Sequence, residues 1–344
     1  MNRKKITISA ALMAAAVLSI GTSKRAGAQA GAAPDGVVAD PGNYKVLFED
    51  AHIRLVEVVV RPGETEKMHI DPYPLVVVRD AVLPPKLTGD TSNAPGDGHA
   101  IGPKGLPFPI CSTVAAQPAH AISNKDTFPL HYYRIEYKRV DESEDYKQNW
   151  KKWYPWIGDP LKPVKDVTPP AGAKPFSKDF PYPIEYDSYL AAPNNHFLHY
   201  EDDHIRFLEV VFRPGERENM HGHPYYSVFS QDMDRGTPPP TEHADGLLAE
   251  PGFHLNPDGT PQRTTDYAIL LDPTSPLNDM GDVSAPPAAG TEWPRCVTAA
   301  PQAPHTSYNG HDYPIHFYRL EFLRLDGDGI KDHWKEWYPW MAKN

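Results

Sequence analysis

Residues 49–73 read EDAHIRLVEVVVRPGETEKMHIDPY, and residues 201–225 read EDDHIRFLEVVFRPGERENMHGHPY. The two segments agree at 17 of 25 positions, so the chain carries an internal duplication. A second pair of segments follows: PICSTVAAQPAHAISN from Pro109 and PRCVTAAPQAPHTSYN from Pro294. The offset between copies grows from 152 to 185 residues, so the second copy holds 33 more residues between its halves. That extra length falls at about residues 233–290, a stretch rich in Pro, Asp and Gly that reads as a surface insertion. Each copy closes alike, with LHYYRIEYKR then WKKWYPW in the first and IHFYRLEFLR then WKEWYPW in the second.

His52 to Val60 and His204 to Phe212 are rich in Val, Ile and Leu and stop at Arg-Pro-Gly, the pattern of a strand running into a turn. Leu130 to Val140 alternates, with His131, Tyr133, Ile135 and Tyr137 on one face and Tyr132, Arg134, Glu136 and Lys138 on the other. The second copy repeats this with His316, Tyr318, Leu320 and Phe322. Short helices are expected near Tyr146 to Trp153 and Ile330 to Trp337, where six of the seven tryptophans gather in or beside the two closing repeats. Their aromatic faces would pack on a barrel or across the interface between the copies. Proline, at 39 of 344 residues, argues against long helices and for short strands joined by many loops.

Met1 to Ala30 opens with Arg3-Lys4-Lys5, continues as an apolar run from Ile6 to Thr22 and ends Ala28-Gln29-Ala30. This is the layout of a secretory signal peptide, and the mature chain is expected to start near Gly31 in a periplasmic or secreted location. Removing that segment takes the formal charge from −11 to −16, which disfavours nucleic acid and, after cleavage, a membrane as partner. An oxidising compartment would permit Cys111 and Cys296 to pair. Their matching places in the two copies lead instead to the expectation of two separate buried strand thiols. The chain has no nucleotide-binding glycine fingerprint, no GxSxG nucleophile elbow and no CxxC motif, which removes support for hydride transfer, serine hydrolysis and dithiol chemistry.

Each copy sets histidines directly after its Pro-Gly turn. In the second copy Gly215 is separated by five residues from His221-Gly222-His223, and His305 comes later with Asn309 four residues on. Residues i and i+2 of a strand share a face, so the two imidazoles would converge on one point. These motifs resemble those of the cupin superfamily, and their recurrence in both copies is similar to a bicupin. The resemblance implies an all-β protein of two tandem jelly-roll barrels (double-stranded β-helices), with short terminal helices and a metal between the sheets of a barrel. It places the barrels at residues 31–157 and 191–344, joined by a Pro-rich linker at 158–190.

Carried over residue by residue, the resemblance assigns metal ligation to His221, His223 and His305. Ser227 or Val228 stands where the family has a Glu ligand, so three imidazoles with open positions remain, a set suited to Fe, Mn, Zn, Cu or Ni. The first copy has His69, Asp71 and His120, with Asn124 in the second motif and Leu75 at the Glu position. Two His and one Asp make a facial triad, so this is a candidate second metal site, though it equally suits a decayed one flanked by Pro72 and Pro74. His131 and His316, with Tyr133 and Tyr318, would be outer donors to the metal sites if their strand face looks into the barrel. Arg134/Glu136 and Arg319/Glu321, on the opposite face, are expected to be surface or interface ion pairs. The function implied is a divalent-metal enzyme, oxygenase-like or lyase-like, on a small organic substrate. The alternative is a non-catalytic bicupin that binds a small molecule or carbohydrate.

Overall fold

The computed structural model describes residues 33–89, 108–140, 143–159, 161, 164–232, 253–255, 261–263, 294–306, 309 and 311–342. The signal-peptide expectation lies outside these residues, as does most of the insertion. After a short helix α1 (Gly36–Ala39), the first repeat forms β1 (Tyr44–Glu49), β2 (Ile53–Val60), β3 (His69–Asp71), β4 (Leu75–Arg79), β5 (Leu87–Gly89), β6 (Ile110–Val114), β7 (Gln117–His120), β8 (Ile122–Asn124) and β9 (Leu130–Tyr137). Helix α2 (Ser143–Trp153) follows, and then a short helix α3 (Ser188–Ala191). The second repeat forms β10 (His196–Glu201), β11 (Ile205–Phe212), β12 (His221–His223), β13 (Tyr226–Gln231), β14 (Phe253–Leu255), β15 (Pro261–Arg263), β16 (Arg295–Ala299), β17 (Gln302–His305) and β18 (Ile315–Phe322), and α4 (Ile330–Trp337) ends it.

The two repeats build the same large sheet, in the orders β1-β2-β9-β4-β6 and β10-β11-β18-β13-β16. Facing each large sheet are short antiparallel pairs, β3 with β7 and β5 with β8 in the first barrel, and β12-β17-β14-β15 in the second. The fold is thus all-β, two jelly-roll barrels in tandem, as the cupin resemblance implies. Two short strands within the insertion, β14 and β15, extend the small sheet beside β17.

Every residue of β2, β9 and β11 is buried, because both faces of these strands are covered. One face lines its own barrel: Val56, Val58, Val60, Leu130 and Tyr132 in the first, Leu208, Val210, Phe212 and Phe317 in the second. The other face forms a shared seam, where Leu55, Val76, Tyr133 and Ile135 of the first barrel join Phe207, Val228, Tyr318 and Leu320 of the second. Two sequence expectations are corrected here. His131, Tyr133, His316 and Tyr318 lie on the seam face and not in a barrel, whereas Arg134/Glu136 and Arg319/Glu321 point inward and are buried. The alternation separates two faces, but with both buried it does not say which is interior.

The two cysteines are not separate thiols. Cys111 on β6 and Cys296 on β16 are disulfide-bonded across the seam, with Cα atoms 6.2 Å apart. Equivalent places in two repeats do not mean separate places when the repeats face one another through equivalent strands.

The closing helices cross the seam. Ile330, Trp334, Tyr338 and Met341 of the second repeat pack on Val59, Ala81 and Phe128 of the first barrel. Tyr146, Trp150, Tyr154 and Ile157 of the first repeat pack on Val211 and Tyr313 of the second. Each aromatic tail therefore covers the other barrel. Beside the C-terminal tail, His204 Nε2 lies 2.8 Å from Asp80 Oδ2, and the Tyr338 hydroxyl is 2.7 Å from His204 Nδ1 while donating to Asp326 Oδ2 at 2.6 Å. The second barrel's histidine thus meets a carboxylate of the first, a hydroxyl of the tail and, at 2.9 Å, the hydroxyl of Tyr133.

Burial opposes the charge on His204, but Asp80 and Asp326 outweigh it and raise its pKa above the ordinary 6.5. Burial also opposes ionisation of Asp80, and His204 outweighs that, holding Asp80 below 3.8. A raised histidine contributes stability that is full below its unfolded pKa and is lost as pH rises through the folded one. A depressed carboxylate contributes stability present above its unfolded pKa and lost as pH falls through the folded one. The pair therefore strengthens the seam most between about pH 4 and 6.5, and thermal unfolding should move to lower temperature as pH rises above that window. Asp80→Asn should flatten that alkaline decline; an unchanged slope would show that the pair does not set it.

Candidate metal centre

The register of the short strands assembles the site. His221 on β12 stands directly opposite His305 on β17, and His223 opposite Gln302. Side chains facing each other across an antiparallel pair lie within reach, and His221 and His223 share a face because they are two residues apart. The ring centroids are 4.6 Å apart for His221 and His305, 5.1 Å for His221 and His223, and 5.6 Å for His223 and His305. Gly222 between them is required by space: a Cβ there would sit 2.9 Å from the Phe180 ring and 3.0 Å from the Gln302 carbonyl. Phe180 belongs to the stretch read as linker, which also fixes the approach to β12 through Asn219 Nδ2 donating to the Val164 carbonyl and the Met220 amide donating to Asp166.

A fourth imidazole joins from β10. His196 lies 4.6 Å from His221 and 5.3 Å from His223, ring to ring. Ligand atoms of His196, His221 and His223 all lie within 4.8 Å of one another, and so do those of Glu218, His221 and His305. His221 is common to both groups. Sequence reasoning missed His196 and Glu218. A signal for His196 existed, since its counterpart in the other copy, 152 residues earlier, is Tyr44.

All four rings commit Nδ1 to a protein acceptor. His221 donates to the Asn219 carbonyl at 2.8 Å, His305 to the Ala303 carbonyl at 2.7 Å, His196 to the Ala192 carbonyl at 3.4 Å and His223 to Glu321 Oε1 at 3.3 Å. A carbonyl can only accept, so in His221, His305 and His196 the hydrogen sits on Nδ1 and Nε2 carries the lone pair, and an ionised Glu321 sets the same tautomer in His223. Burial, joined by the charges of neighbouring histidines and Arg319, holds His221 and His223 well below the usual range, and His196 at about 3. At neutral pH these imidazoles are uncharged, the form that binds a metal. Burial raises Glu321, beside His223, to about 7 despite Arg319.

The first barrel repeats the geometry with different chemistry. His69 stands opposite His120 and Asp71 opposite Gln117, and the ligand atoms of His69, Asp71 and His120 lie within 4.8 Å of one another. Here too the ring Nδ1 atoms donate to backbone carbonyls, of Lys67 and Pro118. However, the Tyr44 hydroxyl is 2.8 Å from His69 Nε2 and donates to Glu66 at 2.8 Å, and Arg134 Nη2 holds Asp71 Oδ1 at 2.7 Å. Where the second barrel has His196 and His223, the first has a phenol on a ligand nitrogen and a carboxylate already paired with a guanidinium. Two further carboxylate–guanidinium contacts brace each interior, Arg54 with Asp35 and Glu136, and Arg206 with Asp187 and Glu321.

No protein-family model matches the chain, and no curated protein matches it. Among solved structures, a cupin domain from Bordetella pertussis Tohama I is 19% identical over 28% of this chain and 92% of that one, with a TM-score of 0.21. Salicylate 1,2-dioxygenase from Pseudaminobacter salicylatoxidans is 9% identical over 83% of this chain and 78% of that one, at a TM-score of 0.19. A cupin 2 conserved barrel domain protein from Leptotrichia buccalis is 7% identical over 80% and 85%, at 0.20. Likeness at this level carries no argument about activity. The architecture stands on the strand order, and the chemistry on the side chains.

Proposed function

We propose that the C-terminal barrel is a divalent-metal centre held by His221 together with His196, His223 and His305, and that the protein is a metal-dependent enzyme acting on a small organic molecule. The observation that carries this is the common orientation of the four rings, each with Nδ1 bound to the protein, and in His196, His221 and His305 to a backbone carbonyl that leaves Nε2 as the lone-pair nitrogen. An all-imidazole set suits Fe, Zn, Cu or Ni, and such an ion would supply Lewis acidity or activation of dioxygen. Around it the chain's own groups do the positioning: Glu321 orients His223, and the carbonyls of Asn219 and Ala303 orient His221 and His305. Glu218, 3.7 Å from His221 Nε2, offers a carboxylate on the same side.

The proposal includes export of the mature chain, supported by the charged-apolar-small layout of residues 1–30 and by a disulfide, which persists in oxidising compartments. Mass spectrometry of exported protein should find an N-terminus near Gly31; an intact Met1 would argue for a tethered form. The functional reading is tested by elemental analysis of protein purified from the exported fraction. About one metal ion per chain is expected, lost in His221→Ala; a chain with no stoichiometric metal would fit a non-catalytic binder instead.

A further inference from the structure

The two barrels differ in how they satisfy one buried guanidinium. In the first, Arg134 Nη2 is held between Asp71 Oδ1 at 2.7 Å and Glu136 Oε1 at 2.9 Å. In the second, the matching Arg319 is wholly unexposed, donates from Nη1 to Gln302 Oε1 at 2.8 Å, has Nε 3.0 Å from Glu321 Oε1, and lies with Cζ 4.4 Å from the Phe229 ring centroid. The position of Asp71 is taken by His223, an uncharged acceptor at best. Arg319 Nη2 is left with no hydrogen-bond partner among the described residues. Leaving a buried charged donor unsatisfied is costly, and a guanidinium arm is shaped to receive a carboxylate oxygen.

The charge balance points the same way. The second interior sets the guanidinium groups of Arg206 and Arg319 against the buried carboxyl groups of Asp187, Glu218 and Glu321, of which Glu321, raised to about 7, is only partly ionised at neutral pH. A divalent ion would leave this interior with a net positive charge, which favours an anionic ligand. In the first interior the carboxylate of Asp71 already occupies the matching Nη2 of Arg134, so no such ligand is needed there. Resting on the metal reading above, we infer that the C-terminal centre takes a small carboxylate, its anionic group received by Nη2 of Arg319 beside His223.

The test uses the full mature chain loaded with zinc, its metal content measured on every sample, and isothermal titration with the monoanions benzoate and acetate, each against its neutral amide, benzamide and acetamide. At least one acid should bind 10-fold or more tighter than its amide. Arg319→Gln should abolish that preference, and Arg134→Gln should leave it intact. Because a buried Arg319 variant risks misfolding, His223→Asp provides a second variant, rebuilding the Asp71–Arg134 pair around which the other barrel already folds. It too should abolish the preference for acids. Acids binding no tighter than amides in the unmodified chain, or an acid preference surviving in folded Arg319→Gln, would overturn the inference. If the chain holds no zinc, the metal reading fails and the anion inference that rests on it is overturned with it, whereas zinc bound without a preference for acids overturns the anion inference alone.

Discussion

His305→Ala should weaken binding of a divalent metal by about 100-fold or more, since loss of an outer-shell partner alone costs 10- to 100-fold. His120→Ala, at the matching position of the first barrel, should leave the affinity of the chain nearly unchanged. The asymmetry comes from what surrounds two similar pairs of histidines. His305 faces His221 across the strand pair with His196 and His223 alongside. His120 faces His69, whose Nε2 is covered by the Tyr44 hydroxyl, and the nearby Asp71 is engaged by Arg134. A metal at the first site would have to displace a phenol and part a buried ion pair, which costs several kcal/mol when its partner charge is left behind. Equilibrium dialysis of the two variants reads the difference. Loss of the ion in His120→Ala with retention in His305→Ala would move the working site to the first barrel.

Reducing the Cys111–Cys296 bond should destabilise the protein by up to about 5 kcal/mol, the loop-closure value for a cross-link spanning well over 100 residues. The bond joins residues 185 apart in sequence and ties β6 to β16 across the seam. For a chain of this size that corresponds to a fall in melting temperature on the order of 5 to 8 °C. The crossed aromatic tails and the shared apolar seam should keep the two barrels together without it, so cooperative unfolding should persist. Calorimetry with and without reductant measures the shift, and a Cys111→Ser, Cys296→Ser variant should show no further response to reductant. A melting temperature indifferent to reduction would mean that the bond constrains nothing the seam does not already hold.

Much of this architecture is legible in the amino-acid order because the chain is written twice. The repeats predict β2 and β11 to within a residue of their observed starts, and the expected closing helices fall within α2 and α4. The cupin resemblance assigns His221, His223 and His305 to one site, and the strand register sets His221 directly opposite His305. His196 is harder to see because it lies outside any motif, on an ordinary strand, HFLHYE. It stands out only where the copies disagree, as His against Tyr44. The inward aim of Arg134, Glu136, Arg319 and Glu321 is hidden for a physical reason. Charged residues inside a barrel are costly unless paired, and the pairs that make them tolerable join residues far apart, such as Arg54 with Glu136. The pairing of Cys111 with Cys296 depends on how one barrel faces the other, and no pattern within a single repeat encodes that.

The account stands on a single metal centre in the C-terminal barrel. Crystals of the mature chain loaded with one equivalent of zinc, measured on either side of the zinc absorption edge, test it most directly. One anomalous peak per chain is predicted, at about 2.0 to 2.1 Å from Nε2 of His221 and of at least two of His196, His223 and His305. A peak instead between His69, Asp71 and His120, or at the seam beside His131, His204 and Asp326, would contradict it.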